Sequence, residues 1–232
     1  MKLSIIIPVY NEIKTLEKII NKIINLKKID KQIIVVDDGS TDGTQQLIKS
    51  KIASKVSKVI YHKNNKGKGA AIKTAQKYLK GDYVLIQDAD LEYDPRDYFK
   101  LLKPLIQGSS SVVYGSRVFG KKRYSSKNFI SLSRVFVNHL LTILSNFLNN
   151  QNLTDAHTCY KVFLASIFKK IELKELDFAF CPEVTSKISK MGLKIIEVPI
   201  SYKGRTQQEG KKIGIFDGFR ALYVLLKYRL VN

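Results

Sequence analysis

The sequence predicts an α/β fold with a mostly parallel central sheet flanked by helices. Three observations lead there. Strand-like and helix-like hydrophobic periods alternate through residues 1–115, acidic residues gather where the apolar strands end, and glycine-containing turns open the helices. At 232 residues, with 44% hydrophobic and 26% charged side chains, the chain can bury one full core plus a small appendage.

Taken in order, Leu3 to Pro8 reads as a strand closed by a proline that cannot donate to a ladder. Glu12 to Leu26 has the period of an amphipathic helix, and Gln32 to Asp37 is a second strand. A turn with Gly39 and Gly43 leads into a helix ending near Ala53. Lys58 to His62 is a third strand and Gly69 to Leu79 a helix. The apolar run Asp82 to Gln87 suits a strand covered on both faces. Pro95 to Ile106 is a helix with proline in its first turn, followed by a strand at Ser111 to Tyr114. Strands interleaved with helices imply right-handed crossovers. Beyond them, Arg117 to Lys127 is a loop with five basic residues and no acid. Ile130 to Leu148 is a long helix, Thr158 to Leu164 a short strand, Pro182 to Met191 a helix and Leu193 to Ile200 a strand. A Gly- and Lys-rich loop precedes a last helix, Ile215 to Leu230.

Forty Lys and Arg against 20 Asp and Glu give a net charge of +20. That field favours anionic partners (nucleic acid, nucleotide or an acidic membrane surface), although solvated lysines account for the total equally well. Cys159 and Cys181 lack metal-type spacing and read as small core residues. The run from Met1 to Ile7 is too short for a signal peptide, and no apolar run reaches the ~18 residues that span a bilayer. The expected location is cytoplasmic, peripheral on the inner face of a membrane.

The chemistry concentrates in Asp88-Ala89-Asp90-Leu91-Glu92. Two Asp separated by one residue point to the same side of an extended segment, where they can hold a divalent metal and through it a diphosphate. A bare Asp-x-Asp is common, so the rest of the chain has to support it. Asp38, at the end of the second strand, could accept hydrogen bonds from a base or ribose, while Ser40 or Thr41 with Asp42 could cap the next helix. Tyr10 offers a flat face to a base; Asn11 and Glu12 read equally well as a cap and a dipole complement. Asn64 to Ala71 is a Gly-rich loop opening a helix, suited to phosphate or to close backbone approach, without the spacing of a Walker loop.

Five motifs occur in register: Pro8-Val9-Tyr10-Asn11-Glu12, Val36-Asp37-Asp38-Gly39-Ser40 through Thr44, Asn65 to Ala70, Asp88-Ala89-Asp90, and Gly115-Ser116-Arg117. Together they resemble the family-two inverting glycosyltransferases of the GT-A (nucleotide-diphospho-sugar transferase, Rossmann-like) fold, in their polyprenyl-phosphate, dolichyl-phosphate mannose synthase-like branch. The similarity extends through Leu153-Thr154-Asp155, Thr158 to Lys161, Glu197 to Tyr202, Arg205, Glu209 and Lys211, and so covers nearly the whole chain.

The resemblance implies transfer of a hexose from a nucleotide-diphosphate sugar, of GDP-mannose or UDP-glucose type, to a polyprenyl phosphate, with inversion and with Mg or Mn. It implies residues 1–115 as the nucleotide-binding half and 116–200 as the acceptor half of one catalytic domain, with 201–232 a basic loop and amphipathic helix. Pro8, Tyr10, Glu12 and Asp38 would contact base and ribose. Asp88, Ala89 and Asp90 would face the ribose and the metal-bound diphosphate, with Asp90 the direct metal ligand. Glu92, where relatives commonly carry Gln, would be a second oxygen ligand. Arg117 and Arg205 would clamp phosphates with their forked donors, and Lys211 would add a point charge.

A phosphate acceptor is already ionised and needs no general base, whereas a hydroxyl of a glycan or protein would need one. Glu183 is the candidate for that alternative, and reads equally as a carboxylate complementing a helix N-terminus. His157 reads as a surface or structural residue. A processive polysaccharide synthase is disfavoured because its Gln-x-x-Arg-Trp motif needs a tryptophan, and the chain has none. A nucleic-acid binder would leave the ordered acidic motifs without a role. The helices at 130–148 and 215–230 are both amphipathic. Each fits either a membrane interface or ordinary packing on the sheet. The resemblance favours the membrane for the first and leaves the second open.

Overall fold

The computed structural model describes residues 1–120, 129–205 and 215–230. Seven strands form one sheet: β1 (Lys2–Val9), β2 (Asp30–Asp37), β3 (Lys58–Tyr61), β4 (Tyr83–Ile86), β5 (Val112–Ser116), β6 (Lys161–Leu164) and β7 (Ile196–Pro199). Their order is β3-β2-β1-β4-β6-β5-β7. All pairings are parallel except those of β6, which runs antiparallel between β4 and β5. The sheet is therefore mostly parallel, as expected, but β5 does not neighbour β4. Val112 and Val113 pair with Phe163 and Val162, all fully buried. An all-apolar run fits either flank of the sheet, so sequence order alone could not set this adjacency.

The central strands are apolar on both faces, and the polar exceptions satisfy one another. Ser4 Oγ donates to Gln32 Oε1 at 2.6 Å inside the core, and the amides of Gly81 and Lys80 donate to the same two side chains. Helix α1 (Leu16–Ile24) buries Leu16, Ile19, Ile20 and Ile23, the spacing of one helix face. It starts later than its periodicity predicts because Glu12 to Thr15 form a turn, with the Thr15 hydroxyl on Glu12 Oε2 at 2.7 Å. Helix α2 (Thr44–Leu47) continues through a wider π turn, Ile48–Ile52, and a closing 3₁₀ turn. Helix α3 (Lys68–Gln76) lays Gly69, Ala70, Ala71 and Ala75 inward, and these small side chains let it sit close to the sheet. Helix α4 (Tyr98–Ile106) follows a 3₁₀ turn at Pro95–Asp97.

Helices α5 (Phe129–Asn149), α7 (Phe180–Lys190) and α8 (Ile215–Leu230) pack on one another, with short α6 (Ala165–Phe168) after β6. Helix α5 packs Leu141, Leu144 and Leu148 towards α8, buries polar side chains beside them, and leaves a second apolar face outside. Thr142, Ser145 and Asn149 are buried, whereas Phe136, Leu140, Ile143 and Phe147 are exposed, Phe147 at 83%. The inward polar face is used: Thr142 Oγ1 accepts the Ala156 amide, and the Asn146 side chain bonds both polar backbone groups of Leu153. On α8, Ala221, Val224 and Leu225 are buried, while Phe216, Phe219, Tyr223 and Leu230 stand in solvent. Glu175 tethers α8 through Arg220 at 2.6 Å, Lys227 at 2.8 Å and the Tyr228 hydroxyl at 3.1 Å. Among the described residues no helix is long and apolar enough to cross a membrane.

Candidate active site

Because β1 lies between β2 and β4, the carboxyl ends of these strands deliver residues 10–15, 38–44 and 87–94 to one edge of the sheet. The first two loops are stitched together. Asn11, at φ 51°, donates its amide to Ser40 Oγ and accepts the Thr41 amide on Oδ1 at 2.8 Å. It bridges loops and is no helix cap. Asp42 accepts the amides of Ile13 and Thr44, which agrees with its reading as a helix-start residue. Pro8 lies in β1 beside Val36, Tyr10 is half-buried just beyond the strand, and Ala89 is buried.

Asp38 turns inward. Its oxygens accept from His62 Nδ1 at 2.6 Å, the Lys66 amide at 3.0 and 3.1 Å, and the Gly67 amide at 2.7 Å. A carboxylate has about four acceptor positions, and these contacts use them. In this arrangement Asp38 shapes the Gly-rich loop and leaves little acceptor capacity for a base or ribose.

The acidic run converges with a segment from the far end of the chain. Arg205 reaches both oxygens of Glu12 at 3.1 Å and Asp90 Oδ2 at 3.0 Å, and its amide donates to Glu92 Oε1 at 2.7 Å. Glu92 Oε2 accepts the Tyr202 hydroxyl at 2.8 Å, so both oxygens of this expected metal ligand hold the 202–205 segment. Lys68 Nζ lies 2.5 Å from Asp88 Oδ1. Among the described residues, four carboxylates thus stand together in contact with Arg205 and Lys68. Burial first, then the carboxylates of Asp88 and Glu92, push Asp90 up to about 7 against the pull of Arg205. Burial also works against Asp88, but Lys68 holds it below the usual carboxylate range.

This donor set fits a hard divalent cation. Its oxygens are carboxylates, and such an ion relieves the like-charge pressure that Asp88 and Glu92 put on Asp90. Among the described residues no three ligand-type side chains form a ready cage. The fit is therefore to an ion that completes its shell with phosphate oxygens and water, as Mg²⁺ does beside one or two carboxylates.

Other expected site residues are placed differently. Arg117 spends its fork on Asp155, Nε to Oδ2 at 2.6 Å and Nη2 to Oδ1 at 2.7 Å, and its guanidinium lies 5.2 Å over the Tyr202 ring. It fastens the loop before β6, a role that limits its use as a phosphate clamp. Glu183 is a correction: it is fully buried, accepts the amides of Lys174 at 2.7 Å and Glu175 at 2.9 Å, and pairs with Lys187 at 2.6 Å. A carboxylate sealed this way has no face for an acceptor hydroxyl, so it is a structural anchor. Burial, then the Lys161 charge, lower His157 to about 4, so it is neutral near pH 7. Lys211, Glu209 and most of the basic loop after Arg117 lie outside the described residues.

The model of the family described as glycosyl transferase family 2 matches residues 4–172, most of the chain and every strand from β1 to β6. This chain belongs to glycosyl transferase family 2. It is a glycosyltransferase, and its similarity to proteins of that family extends beyond the matched span. A dolichol-phosphate mannosyltransferase of Pyrococcus furiosus is 28% identical over 98% of the chain, which spans 64% of that relative's length. A UDP-N-acetylglucosamine–dolichyl-phosphate N-acetylglucosaminyltransferase of Methanococcus voltae is 29% identical over 97% of the chain and 95% of its own length. Among solved structures, glucosyl-3-phosphoglycerate synthase of Mycobacterium tuberculosis, crystallised with Mn²⁺, UDP and its product, superposes with a TM-score of 0.74. The match covers 100% of this chain and 81% of that one at 19% identity, and shows a shared fold.

Within this family-2 site, reading the sequence missed three supports. Asp155 is the partner that fixes Arg117. Glu197 accepts the amides of Thr154 at 2.6 Å and Asp155 at 2.9 Å. Gln87 Oε1 accepts the hydroxyls of Tyr98 and Tyr160, both at 2.7 Å, while its Nε2 donates to the Asp88 carbonyl at 2.9 Å. Asp155 and Glu197 lie in stretches that carry the family likeness, whereas Gln87 ends the strand before Asp88, and its signal would have been a polar residue closing an apolar run.

The raised Asp90 has a consequence for stability. An unfolded Asp titrates near ~3.9. Between about pH 4 and about 7, folded protein retains a proton that unfolded chain has released, so stability falls as pH rises and levels off above that range. Asp90→Asn removes this penalty. In chelator, the variant is expected to melt above wild type at pH 8, with the gap closing towards pH 4; parallel Tm profiles would contradict the assignment.

Proposed function

We propose that this glycosyltransferase moves a hexose from a nucleotide-diphosphate sugar, of GDP-mannose or UDP-glucose type, to a polyprenyl phosphate, with inversion and with Mg²⁺ or Mn²⁺. The observation that carries the proposal is the acidic edge at β1, β2 and β4, where Glu12, Asp88, Asp90 and Glu92 gather and Arg205 crosses them. The names of the relatives support a dolichyl-phosphate acceptor, and the structural neighbour's Mn²⁺ and UDP support the donor chemistry.

Asp90 would hold the metal, with Glu92 joining if its bonds to the 202–205 segment loosen. When bound, the ion withdraws charge from the departing diphosphate. Arg205 is placed to follow: its Nε is buried with no hydrogen-bond partner, a donor ready for a phosphate oxygen. Lys211, outside the described residues, is proposed to add a point charge. An acceptor phosphate oxygen attacks the anomeric carbon from the face opposite the diphosphate, the bond to the diphosphate oxygen breaks, and the configuration inverts. That oxygen is already ionised, so the sealing of Glu183 costs the reaction nothing. Pro8 and Tyr10 remain the proposed base contacts, with Asp38 acting through the Gly-rich loop and Arg117 through the loop it fastens. Residues 1–115 would form the nucleotide half, 116–200 the acceptor half, and 201–232 a basic loop with an amphipathic helix.

The exposed apolar faces of α5 and α8 are proposed to lie on the membrane that carries the acceptor. Support comes from the exposed Phe136, Leu140, Ile143 and Phe147 of α5 and from Lys227 and Arg229 near the end of α8. The test is a panel of nucleotide sugars with Mn²⁺ or Mg²⁺, offered polyprenyl phosphate or polyprenol in anionic vesicles. Glycolipid is expected from one donor and only from the phosphate; equal use of the alcohol would overturn the acceptor assignment.

A further inference from the structure

Lys68 is a second cation in the acidic site, and no step above uses it. The backbone beneath it is clamped. A Cβ at Gly67 (φ +97°) would stand 2.4 Å from the Leu176 carbonyl oxygen, and one at Gly69 2.3 Å from that of Glu175. Ala70 donates its amide to Leu176 at 2.9 Å, and Asp38 holds the amides of Lys66 and Gly67. Glycine at these two positions lets α3 start against the 175–177 backbone, and Lys68 is the first residue of the helix.

From that fixed base the side chain crosses to Asp88. Besides the carboxylate, the ammonium meets Cys159 Sγ at 3.3 Å and the Phe178 ring at 5.9 Å. Burial opposes its charge, yet Asp88 keeps it protonated beyond the ordinary lysine range. The two aspartates of the run therefore differ. Asp88 is tied to an ammonium on a clamped helix start, whereas Asp90 is tied to Arg205, on a segment held at Glu92 and at the Tyr93–Tyr202 bridge. A fixed ammonium beside Asp88 repels any further cation from it.

We propose that Lys68 is a positioning residue of the donor site: it pins Asp88 as a hydrogen-bond acceptor for the donor and keeps it out of metal coordination, leaving the metal to Asp90. The proposal rests on the reading of this edge as a metal–nucleotide site. It predicts that losing the ammonium improves binding of a bare metal ion, which a purely structural lysine would not do.

The test measures Mn²⁺ binding to metal-free, nucleotide-free protein by electron paramagnetic resonance of the unbound ion. Lys68→Met is expected to bind Mn²⁺ about tenfold more tightly than wild type. Lys68→Arg should stay near wild type, and the double variant Lys68→Met with Asp88→Asn should lose the gain. Should Lys68→Met fail to fold, Lys68→Gln takes its place in the same comparison. Mn²⁺ affinity unchanged in the folded single variant, or a gain that survives Asp88→Asn, overturns the proposal. Failure of the underlying site reading shows separately, as wild-type protein whose affinity for a nucleoside diphosphate does not respond to Mn²⁺.

Discussion

Asp90→Ala is expected to lower kcat/KM for sugar transfer by at least about 10³-fold, the scale set by losing a group that serves the leaving-group charge. Among the described residues the neighbouring carboxylates are already engaged. Glu12 is engaged by Arg205 and Thr15, Glu92 by Tyr202 and the Arg205 amide, and Asp88 by Lys68. The loss should appear in initial rates at saturating Mn²⁺, with the fold intact by circular dichroism. A variant that transfers sugar at the wild-type rate would show that the acidic edge is not where the diphosphate departs.

Glu183→Ala is expected to cost stability, about 4 kcal/mol, the scale for stripping one partner from a buried ion pair. Its removal orphans the amides of Lys174 and Glu175 and strips the carboxylate from the Lys187 ammonium, which keeps the Glu172 carbonyl. The damage should reach α8, because Glu175 is the residue that tethers that helix. Denaturant unfolding measures the loss. Glu183→Gln retains an acceptor and should keep kcat close to wild type. If instead Glu183→Gln stops transfer with stability unchanged, the hydroxyl-acceptor mechanism with Glu183 as base returns.

Much of the fold was legible because local signals and global packing agree in the first half. Ile19, Ile20 and Ile23 repeat at helix spacing, and the apolar runs at β1, β2 and β4 are long enough to be buried strands. The insertion of β6 was hidden, since pairing between residues so far apart leaves no periodicity to read. The acidic run was legible as chemistry from Asp88 to Glu92, and so was the likeness that tied it to Arg205. What could not be read was which carboxylates are already satisfied. Asp38 and Glu183 both look available in sequence, and both prove to be held by backbone amides from loops near them in space. An amide donor leaves no trace in residue identity. The buried polar residues of α5 were invisible for the same reason: Thr142, Ser145 and Asn149 look like a solvent face until the 153–156 loop is laid against this helix.

The most direct test titrates wild-type protein and Asp90→Ala with GDP and with UDP, each with Mn²⁺ and with chelator, by calorimetry. Mn²⁺ is expected to tighten one nucleotide by about 100-fold in wild type, a coupling of the size metal-bridged phosphate contacts supply, and Asp90→Ala is expected to lose this tightening. Nucleotide binding indifferent to both Mn²⁺ and Asp90 would contradict the reading of this edge as a metal–nucleotide site.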